Sequence, residues 1–484
     1  MANKLKTYIM KKIKILVMLL LGVIIVSCQS DFLDPEPSSG VSADNYYTTA
    51  AEVETALINM YDGIQGVNST DTDDNHGVQY EFYITEMRSD NTRTKSQEGE
   101  AAQFESYNVT ATNGIVSDYY GSFYNVIFRA NVVLDNIGVI EDAAVATAYE
   151  AEAKFVRAYA YFNLVRLFGD IPLIDRVVAP QEKEVQFTRV ATATIYQLIE
   201  SDLLAAVAGL DNKYKSRASK AAAQALLAKV YLTEGNYTDA QLLCEAIIGS
   251  GSFDLMPNFN DVFYSELNKE IIFAIGYVAA PTSDSQNFSA EWMNGVGRSA
   301  GVNYVMDDAL VAFDAAGGDR TQYSYRTDPF QTTQTQVAKY FPNGDSGGSN
   351  GKTFASDPTT AGNDWIVLRY ADVLLMHVEA ILAGGAETSN GSAIASFQKV
   401  RDRAGLTTAV TSITKEDLLV ERRVELAFEN HRLFDLIRFG KAESVLSALS
   451  NANGYNYTST DLLLPIPQNE INISQGLMKQ NPGY

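Results

Sequence analysis

Residues 219–248 constrain the fold more than any other part of the sequence, because their side chains recur at the spacing of two paired α-helices. Ala228 and Ala240 are small and allow two antiparallel helices to approach each other closely. Tyr231 is large enough to fill the remaining space, and Gly235-Asn236 provides a tight turn between the helices. The segment therefore predicts a helical hairpin with a packed interface.

The same spacing is typical of tetratricopeptide repeats. A related pattern recurs over residues 365–406, where a turn rich in Gly, Ser and Asn joins two helical stretches. Residues 148–168 and 191–210 also have apolar side chains at helical spacing, and Thr414 with Asp417 three residues later forms a helix-capping signal. We therefore predict a mainly α fold, a scaffold of stacked tetratricopeptide-like helix pairs.

Two long regions do not follow the helical spacing. Residues 67–116 are polar and rich in Asp, Asn, Thr and Tyr, whereas residues 250–364 combine Gly, Asn, Ser and aromatic side chains with short β-like runs such as Ile271–Val278. Long irregular insertions on a rigid frame are where ligand-binding groups are usually found. We predict that these two insertions carry the ligand site.

The N-terminus has the pattern of a secretory signal. Residues 1–14 contain five lysines and no acid, and the apolar run Ile15–Val26 is too short to span a bilayer as a mature helix. Ser27 followed by Cys28 resembles a bacterial lipoprotein processing site; the alternative is an ordinary signal with a cysteine there by chance. We predict that residues 1–27 are removed and that Cys28 is acylated.

The segment that follows is acidic and rich in Pro and Ser, so residues 28–44 are predicted to form a lipidated, flexible tether ahead of a single α-rich domain over residues 45–484. The chain has 37 basic and 59 acidic residues and a formal net charge of −22. Such an acidic surface repels phosphate backbones, which argues against nucleic acid as a partner. It also indicates that membrane attachment comes from the lipid rather than from a basic face.

The run Glu421–Arg438 is dense in acids and could be mistaken for a catalytic cluster. Its opposite charges are three residues apart, which is typical of a helix whose side chains pair along one face. The expected pairs are Arg422 with Glu425, Glu429 with Arg432, and Asp435 with Arg438. We interpret the run as a structural helix whose buried side carries Val424, Phe428 and Phe434.

No motif indicates a metal, a cofactor or catalysis. The three histidines, His76, His377 and His431, lack metal-ligand spacing. Asp71 and Asp73 begin like a calcium loop, but the required glycine and final glutamate are missing, so only a looser calcium site stays open. Gly351-Lys352-Thr353 ends like a phosphate loop but lacks its first glycine. We predict no catalytic residue and no cofactor.

Several segments, taken in order, resemble the SusD/RagB family of Bacteroidetes outer-surface lipoproteins. They are Cys28–Asp34 (CQSDFLD), Asn45–Ile64, Arg157–Pro172 (RAYAYFNLVRLFGDIP), the hairpin at 219–248, Leu368–Ala380 (LRYADVLLMHVEA), Glu421–Gly440, Leu464–Gln468 (LPIPQ) and Gln480–Tyr484 (QNPGY). The resemblance implies a non-catalytic, α-rich domain on the cell exterior. Such proteins form a lid on a TonB-dependent outer-membrane barrel, a SusC-like transporter, and capture oligosaccharides or, in some relatives, peptides.

Glycan binding requires an aromatic platform for the apolar face of a sugar and planar polar groups for its hydroxyls. Trp292 lies in a polar stretch that gives little reason to bury an indole, and we expect it to be this platform. Trp365 is a second candidate, although it could equally pack against the helix expected at residues 366–383. Weaker candidates are Tyr304, Tyr323 and Tyr325.

The first irregular region offers hydrogen-bonding groups close together in the stretch from Glu86 to Asn91. The predicted ligand contacts there are Arg88, Asp90 and Asn91, beside the rings of Tyr80 and Tyr83. Alternatively, Arg88 and Asp90 tie down a loop.

Three other functions stay open at this point. The same architecture could capture peptides, which would favour a deeper pocket with few aromatic platforms. A surface-anchored glycoside hydrolase would need two carboxylates across one cleft. A purely structural helical-repeat adaptor would have no ligand site.

Overall fold

In the computed structural model of the protein, the chain divides into two compact units, Met1–Glu52 and Val53–Tyr484. The structure describes residues 46–69, 74–94, 99–292, 303–328, 332–341 and 357–484, together with residues 6, 8 and 10–12. Cys28 and the predicted tether therefore lie outside the described residues, and the domain boundary at residue 45 stays a prediction.

The described chain is mainly helical, as predicted. Helices α1 to α19 are Ala50–Gln65, Glu81–Ile84, Gly99–Ser106, Gly114–Asp135, Ala143–Phe168, Lys183–Phe187, Thr192–Gly209, Lys220–Glu234, Tyr237–Gly249, Phe259–Tyr264, Phe288–Trp292, Asp307–Ala316, Thr321–Ser324, Tyr370–Leu382, Gly391–Arg403, Lys415–Glu425, Arg432–Arg438, Ala442–Asn453 and Gln468–Ile473. Short 3₁₀ helices are Gly77–Tyr80, Glu86–Arg88, Ile137–Val139, Gly318–Arg320, Pro358–Thr360 and Ser459–Leu462. None of the helices in the described ranges is both long enough and apolar enough to cross a bilayer.

The strands of the described residues are short and form two-stranded antiparallel ladders. Strands β1 to β10 are Thr92–Thr94, Ile171–Pro172, Arg189–Val190, Ile271–Ile275, Asn303–Val305, Tyr325–Thr327, Thr335–Val337, Trp365–Arg369, Glu387–Thr388 and Ile413–Thr414. The pairs are β1 with β5, β2 with β3, β4 with β8, β6 with β7, and β9 with β10. The β-like run beginning at Ile271 is confirmed as β4, and all five of its residues are buried.

The predicted helical hairpin is confirmed in α8 and α9. Ala228 and Ala240 have no exposed surface, so the two helices pack closely. Gly235 ends α8 in the left-handed region at φ 79°, a conformation that costs glycine little because it has no Cβ. Tyr231 reaches beyond the hairpin, and its hydroxyl donates a 2.7 Å hydrogen bond to Glu200 of α7.

The helix expected at residues 366–383 begins later than predicted. Residues Trp365–Arg369 form β8, which pairs with β4, and α14 starts only at Tyr370. A short apolar run is compatible with either a buried strand or a buried helix. Here the run forms a strand because it pairs with β4, which lies almost a hundred residues earlier. The cap at Thr414 is confirmed, because its side chain and that of Asp417 form a reciprocal capping box.

The run Glu421–Arg438 is structural, but it is not one helix. It is interrupted between α16 and α17, where Phe428 and Asn430 have positive φ values of 66° and 62°. The expected pair of Asp435 with Arg438 is confirmed at 2.7 Å. The other two expected pairs are wrong. Glu429 lies in the break and faces Arg369, and Glu425, although it shares α16 with Arg422, is also directed towards Arg369.

Arg369 and its partners form a buried network, which we call the Arg369 cluster. Arg369 contacts Glu425 at 2.6 Å, Glu429 at 2.6 Å and Glu270 at 2.9 Å. The cluster consists of Glu270, Arg320, Lys339, Arg369, Arg403, Glu421, Glu425 and Glu429. All eight side chains are at least nine-tenths buried, so the network belongs to the core of the 53–484 unit.

Candidate ligand-binding site

Strand β1 joins the two irregular regions of the sequence. It pairs with β5, and Arg93 lies directly opposite Tyr304 in the register. Side chains alternate between the two faces of a strand. The neighbours Thr92 and Thr94 are buried, whereas Arg93 and Tyr304 are half-buried. The two insertions therefore meet at this ladder and present Arg93 and Tyr304 on its more open face.

Arg93 and Tyr304 hold each other in place. The Arg93 Nε donates a hydrogen bond to the Tyr304 hydroxyl, and the guanidinium carbon lies 5.0 Å from the ring centroid. A cation over an aromatic face is attracted by the ring quadrupole. Burial alone would lower the pKa of Arg93, but the Tyr304 oxygen outweighs it and the pKa is raised. The pair is a fixed cation beside a fixed ring.

A polar cavity of about 340 Å³ opens beside this pair. Its lining consists of Arg93, Tyr304, Val305, Met306, Asp307, Asp308, Thr333 and Asn453. Asp307 and Asp308 are exposed in the first turn of α12, where the helix dipole stabilises negative charge. The cavity thus combines a ring, a guanidinium, carboxylates, an amide and a hydroxyl, which are the groups that bind hydroxyl-rich ligands.

Buried ion pairs anchor the chain just before β1. Asp90 accepts hydrogen bonds from Arg432 at 2.7 and 2.8 Å, and Arg423 lies 3.0 Å away. Burial would raise the pKa of Asp90, but these two arginines outweigh it and the pKa is lowered. Asn91 accepts a 3.0 Å hydrogen bond from Arg423 and donates one of 3.1 Å to Glu86.

Asp90 and Asn91 are therefore committed to contacts within the protein, and both are buried. Arg88 is also buried; it donates hydrogen bonds to the carbonyl oxygens of Ile84 and Asp461, which tie it to the C-terminal part of the chain. This arrangement corresponds to the alternative in which these residues hold a loop. Their role as ligand contacts stays a prediction.

The expectation that the indole of Trp292 would be exposed is wrong. Its side chain has no exposed surface, because α11 packs it against the rings of Phe82, Tyr340 and Phe428 at centroid distances of 5.1, 6.2 and 6.0 Å. The Trp292 Nε1 has no hydrogen-bond partner among the described residues. A ligand could stack on this ring only if the ring were uncovered, and its role as a platform stays a prediction.

Tyr80 and Trp365 belong to the same chain of rings as Trp292. Tyr80 stacks on His76 at 4.0 Å and meets Tyr83 edge-on, and Tyr83 contacts Phe82. Trp365 is buried and lies 5.5 Å from Tyr340, which also contacts Trp292. Tyr80 and Tyr83 are half-buried, so they form the more accessible end of this chain.

The described residues contain no group of three or more His, Cys, Asp or Glu side chains arranged to hold a metal ion. His76 instead contacts Asp118 at 2.8 Å, and His377 contacts Ser396 at 2.9 Å. The calcium-like Asp71 and Asp73 and the phosphate-loop-like Gly351–Thr353 lie outside the described residues.

The sequence indicated Tyr304 only as a weaker candidate and did not indicate the groups around it. Arg93 follows the predicted cluster by two residues, and only its pairing with β5 reveals that it faces Tyr304. Asp307 and Asp308 precede an apolar helical run, and acidic residues in this position indicate the start of a helix rather than a ligand site. Asn453 comes from the end of α18, and no local signal connects it with the other lining residues.

The fold and the cavity together define a class of protein in which tetratricopeptide-like helix pairs support a polar cavity lined largely by loop insertions. The family model described as the SusD family matches residues 320–484, and the model described as starch-binding associating with the outer membrane matches residues 31–232. The chain belongs to the SusD/RagB family.

Individual relatives cover between about three quarters and almost all of the chain. SusD-like protein P2 of Formosa agariphila is 28% identical over 98% of this chain and 100% of its own length. The starch-binding protein SusD of Bacteroides thetaiotaomicron is 25% identical over 74% of this chain and 76% of its own. A solved laminarin-binding SusD-like protein is 25% identical, with a TM-score of 0.74 over 90% of this chain and 99% of that one.

Proposed function

We propose that this protein binds oligo- or polysaccharides at the outer-membrane surface and does no chemistry on them. The observation that carries the proposal is the polar cavity between the two irregular regions, where a ring, a guanidinium, carboxylates and an amide converge. Relatives whose names state starch or laminarin binding support a glycan as the ligand.

In this proposal Tyr304 supplies an apolar face for a sugar ring, while Arg93, Asp307 and Asp308 bind hydroxyls around its edge. Charged groups form shorter and stronger hydrogen bonds to hydroxyls than neutral ones do, so these side chains would set selectivity. Asp90 and Asn91 would act indirectly by holding strand β1 in register. Direct contacts by Trp292, Trp365, Tyr80 and Arg88 remain part of the proposal to be tested by single substitutions.

We further propose that the protein is exported, that Cys28 carries the lipid that anchors it to the outer membrane, and that it faces the cell exterior. Captured ligand would pass to a SusC-like, TonB-dependent barrel. A capture protein of this kind needs only modest affinity, because the ligand must be released to the transporter.

Titration calorimetry of the soluble chain that begins after Cys28 tests the proposal, with starch, laminarin and other polysaccharides as ligands. We expect binding to at least one glycan, and we expect Tyr304→Ala to weaken it roughly tenfold. Tyr214→Ala is the matched control, because Tyr214 also has a cation over its ring, with Lys213 at 4.7 Å, but lies outside the cavity. Trp292→Ala in parallel tests the buried indole.

The outcomes separate the alternatives. Equal loss in Tyr304→Ala and Tyr214→Ala would contradict a site at Tyr304. Release of reducing ends would indicate a hydrolase. Absence of glycan binding together with binding of peptides would indicate peptide capture.

A further inference from the structure

A second cavity, built by different elements, has a volume of about 550 Å³. It lies where α5, α7, α8, α9 and α17 come together, and its lining includes Val165, Leu232, Phe434 and Leu463. The volume falls within the range of small-molecule sites, which are mostly apolar with a few placed polar groups. No residue of this cavity belongs to the site at Tyr304.

Arg166 supplies one polar group, and it has an unusual environment. Its guanidinium lies between two rings, 3.8 Å from the centroid of Phe434 and 3.9 Å from that of Phe162. Arg166 Nε donates a 3.1 Å hydrogen bond to the Phe162 carbonyl, and Nη2 donates one of 2.5 Å to Asn163 Oδ1. Arg166 forms no direct ion pair with any carboxylate in the described ranges, although it interacts electrostatically with Glu81, which does not line this cavity. The cavity wall therefore carries a guanidinium that has no direct anionic contact.

Tyr196 supplies the second polar group. The residue is 8% exposed and lines the same cavity, yet its hydroxyl makes no hydrogen bond with any described residue. Burial raises the pKa of Tyr196 to about 12, so the hydroxyl keeps its proton at neutral pH. A hydroxyl at a cavity wall that has no partner within the protein can form a hydrogen bond with a ligand or water in the cavity.

The other charged groups of the cavity do not supply a counter-charge. Arg438 is already paired with Glu379 and Asp435. Glu234 is exposed at the end of α8 and forms no ion pair with Arg166. An apolar wall with one guanidinium that has no direct ion pair and one phenol hydroxyl open to a ligand is complementary to a molecule with an apolar body and one anionic end.

We propose that this cavity binds small organic carboxylates with an aromatic or aliphatic body. The carboxylate accepts hydrogen bonds from Arg166 and Tyr196, and the body packs against Leu232, Phe434 and Leu463. This second site is independent of glycan binding at Tyr304, since the two cavities have no lining residue in common.

The test uses two probes of nearly the same shape, 4-phenylbutyrate and its uncharged amide, titrated by calorimetry against the soluble chain. We expect the acid to bind about tenfold more tightly than the amide, because only the acid forms a charge-assisted hydrogen bond with Arg166. Arg166→Met, which keeps a long apolar side chain between the rings, should remove that preference and leave amide binding nearly unchanged. Tyr196→Phe should weaken acid binding severalfold without changing the shape of the wall.

Two further variants complete the design. Thr233→Trp places a large side chain on an exposed lining position and should abolish binding of both probes. Arg326→Met is the control, because Arg326 also lies over a ring, Phe341 at 4.1 Å, but outside this cavity. The proposal is overturned if neither probe binds at millimolar concentration, if acid and amide bind equally, or if Thr233→Trp leaves binding unchanged; none of these results bears on glycan binding.

Discussion

Buried carboxylates occur in two regions of the molecule, and their protonation differs because their neighbours differ. In the Arg369 cluster, burial would raise the pKa of Glu425, but Arg403, Arg369 and Arg320 outweigh it and hold the pKa well below its ordinary value. Glu81 and Glu86, which follow one another closely before β1, are also buried. Burial raises the pKa of each to about 7.

The difference lies in the charge of the hydrogen-bond donors. Glu429 accepts from Arg369 at 2.6 and 2.9 Å and from Lys339 at 2.7 Å. Glu86 accepts only from neutral amides, the Asn91 side chain at 3.1 Å and the Asn430 backbone at 2.9 Å. Neutral donors satisfy the hydrogen bonds of this buried carboxylate but offset only part of the cost of burying its charge.

The largest effect is expected from Arg369→Met. The substitution leaves Glu425, Glu429 and Glu270 buried with fewer cations, and a buried ion pair that loses one member typically destabilises a protein by about 3–5 kcal/mol. We expect a loss of that size in the free energy of unfolding, measured by urea denaturation at pH 7.

The matched control for Arg369→Met is Arg176→Met. Arg176 also binds a carboxylate through two nitrogens, Glu182 at 3.0 and 2.6 Å, but the pair is exposed. We expect its unfolding midpoint to match that of the wild type, because solvent screens exposed pairs. Similar midpoints for Arg369→Met and Arg176→Met would contradict the proposed importance of burial.

A smaller loss is expected from Asp90→Asn, which removes the charge that Arg423 and Arg432 share. Hydrogen bonds to charged groups typically contribute about 2 kcal/mol, and we expect a loss of that order in the free energy of unfolding. The variant also separates two roles of Asp90. If Asp90 only holds β1, the folded variant keeps most of its glycan affinity; loss of all affinity in a fully folded variant would make Asp90 a direct contact.

The smallest effect on the free energy of unfolding is expected from Glu81→Gln. At neutral pH we expect this substitution to stabilise the protein, whereas the two before it destabilise it. The folded-state pKa of about 7 lies above the ordinary 4.5, so the stability contributed by protonated Glu81 is complete below pH 4.5 and is lost as the pH rises through 7. Glutamine never acquires the charge. We expect the variant to be more stable than the wild type at pH 8, by no more than the roughly 3 kcal/mol to which this pKa difference corresponds, and equally stable at pH 4.5.

Urea denaturation at pH 4.5, 6, 7 and 8 checks the Glu81→Gln prediction. The difference between variant and wild type should grow up to pH 7 and then stay constant. A variant less stable than the wild type at pH 8 would show that Arg166 and Lys229, the cations that act on Glu81, outweigh the cost of its burial, and the contrast with the Arg369 cluster would fail.

The scaffold was predictable to the extent that short-range signals specify it. The α8–α9 hairpin followed from alanine spacing and Gly235, and the start of α16 followed from Thr414 and Asp417. The start of α14 was misplaced, because β8 depends on pairing with β4. The burial of Trp292 was missed for a related reason: the rings that cover it come from distant segments.

The sequence by itself determined the long scaffold helices, the hairpin and the resemblance to the family, because helical periodicity, caps and turns act over a few residues. The tertiary structure decided which charges pair and which rings are exposed. Glu425 and Arg369 are 56 residues apart, and Arg93 meets Tyr304 across 211 residues. Such contacts depend on how whole elements pack and on the chain closing long loops, and no local spacing encodes either.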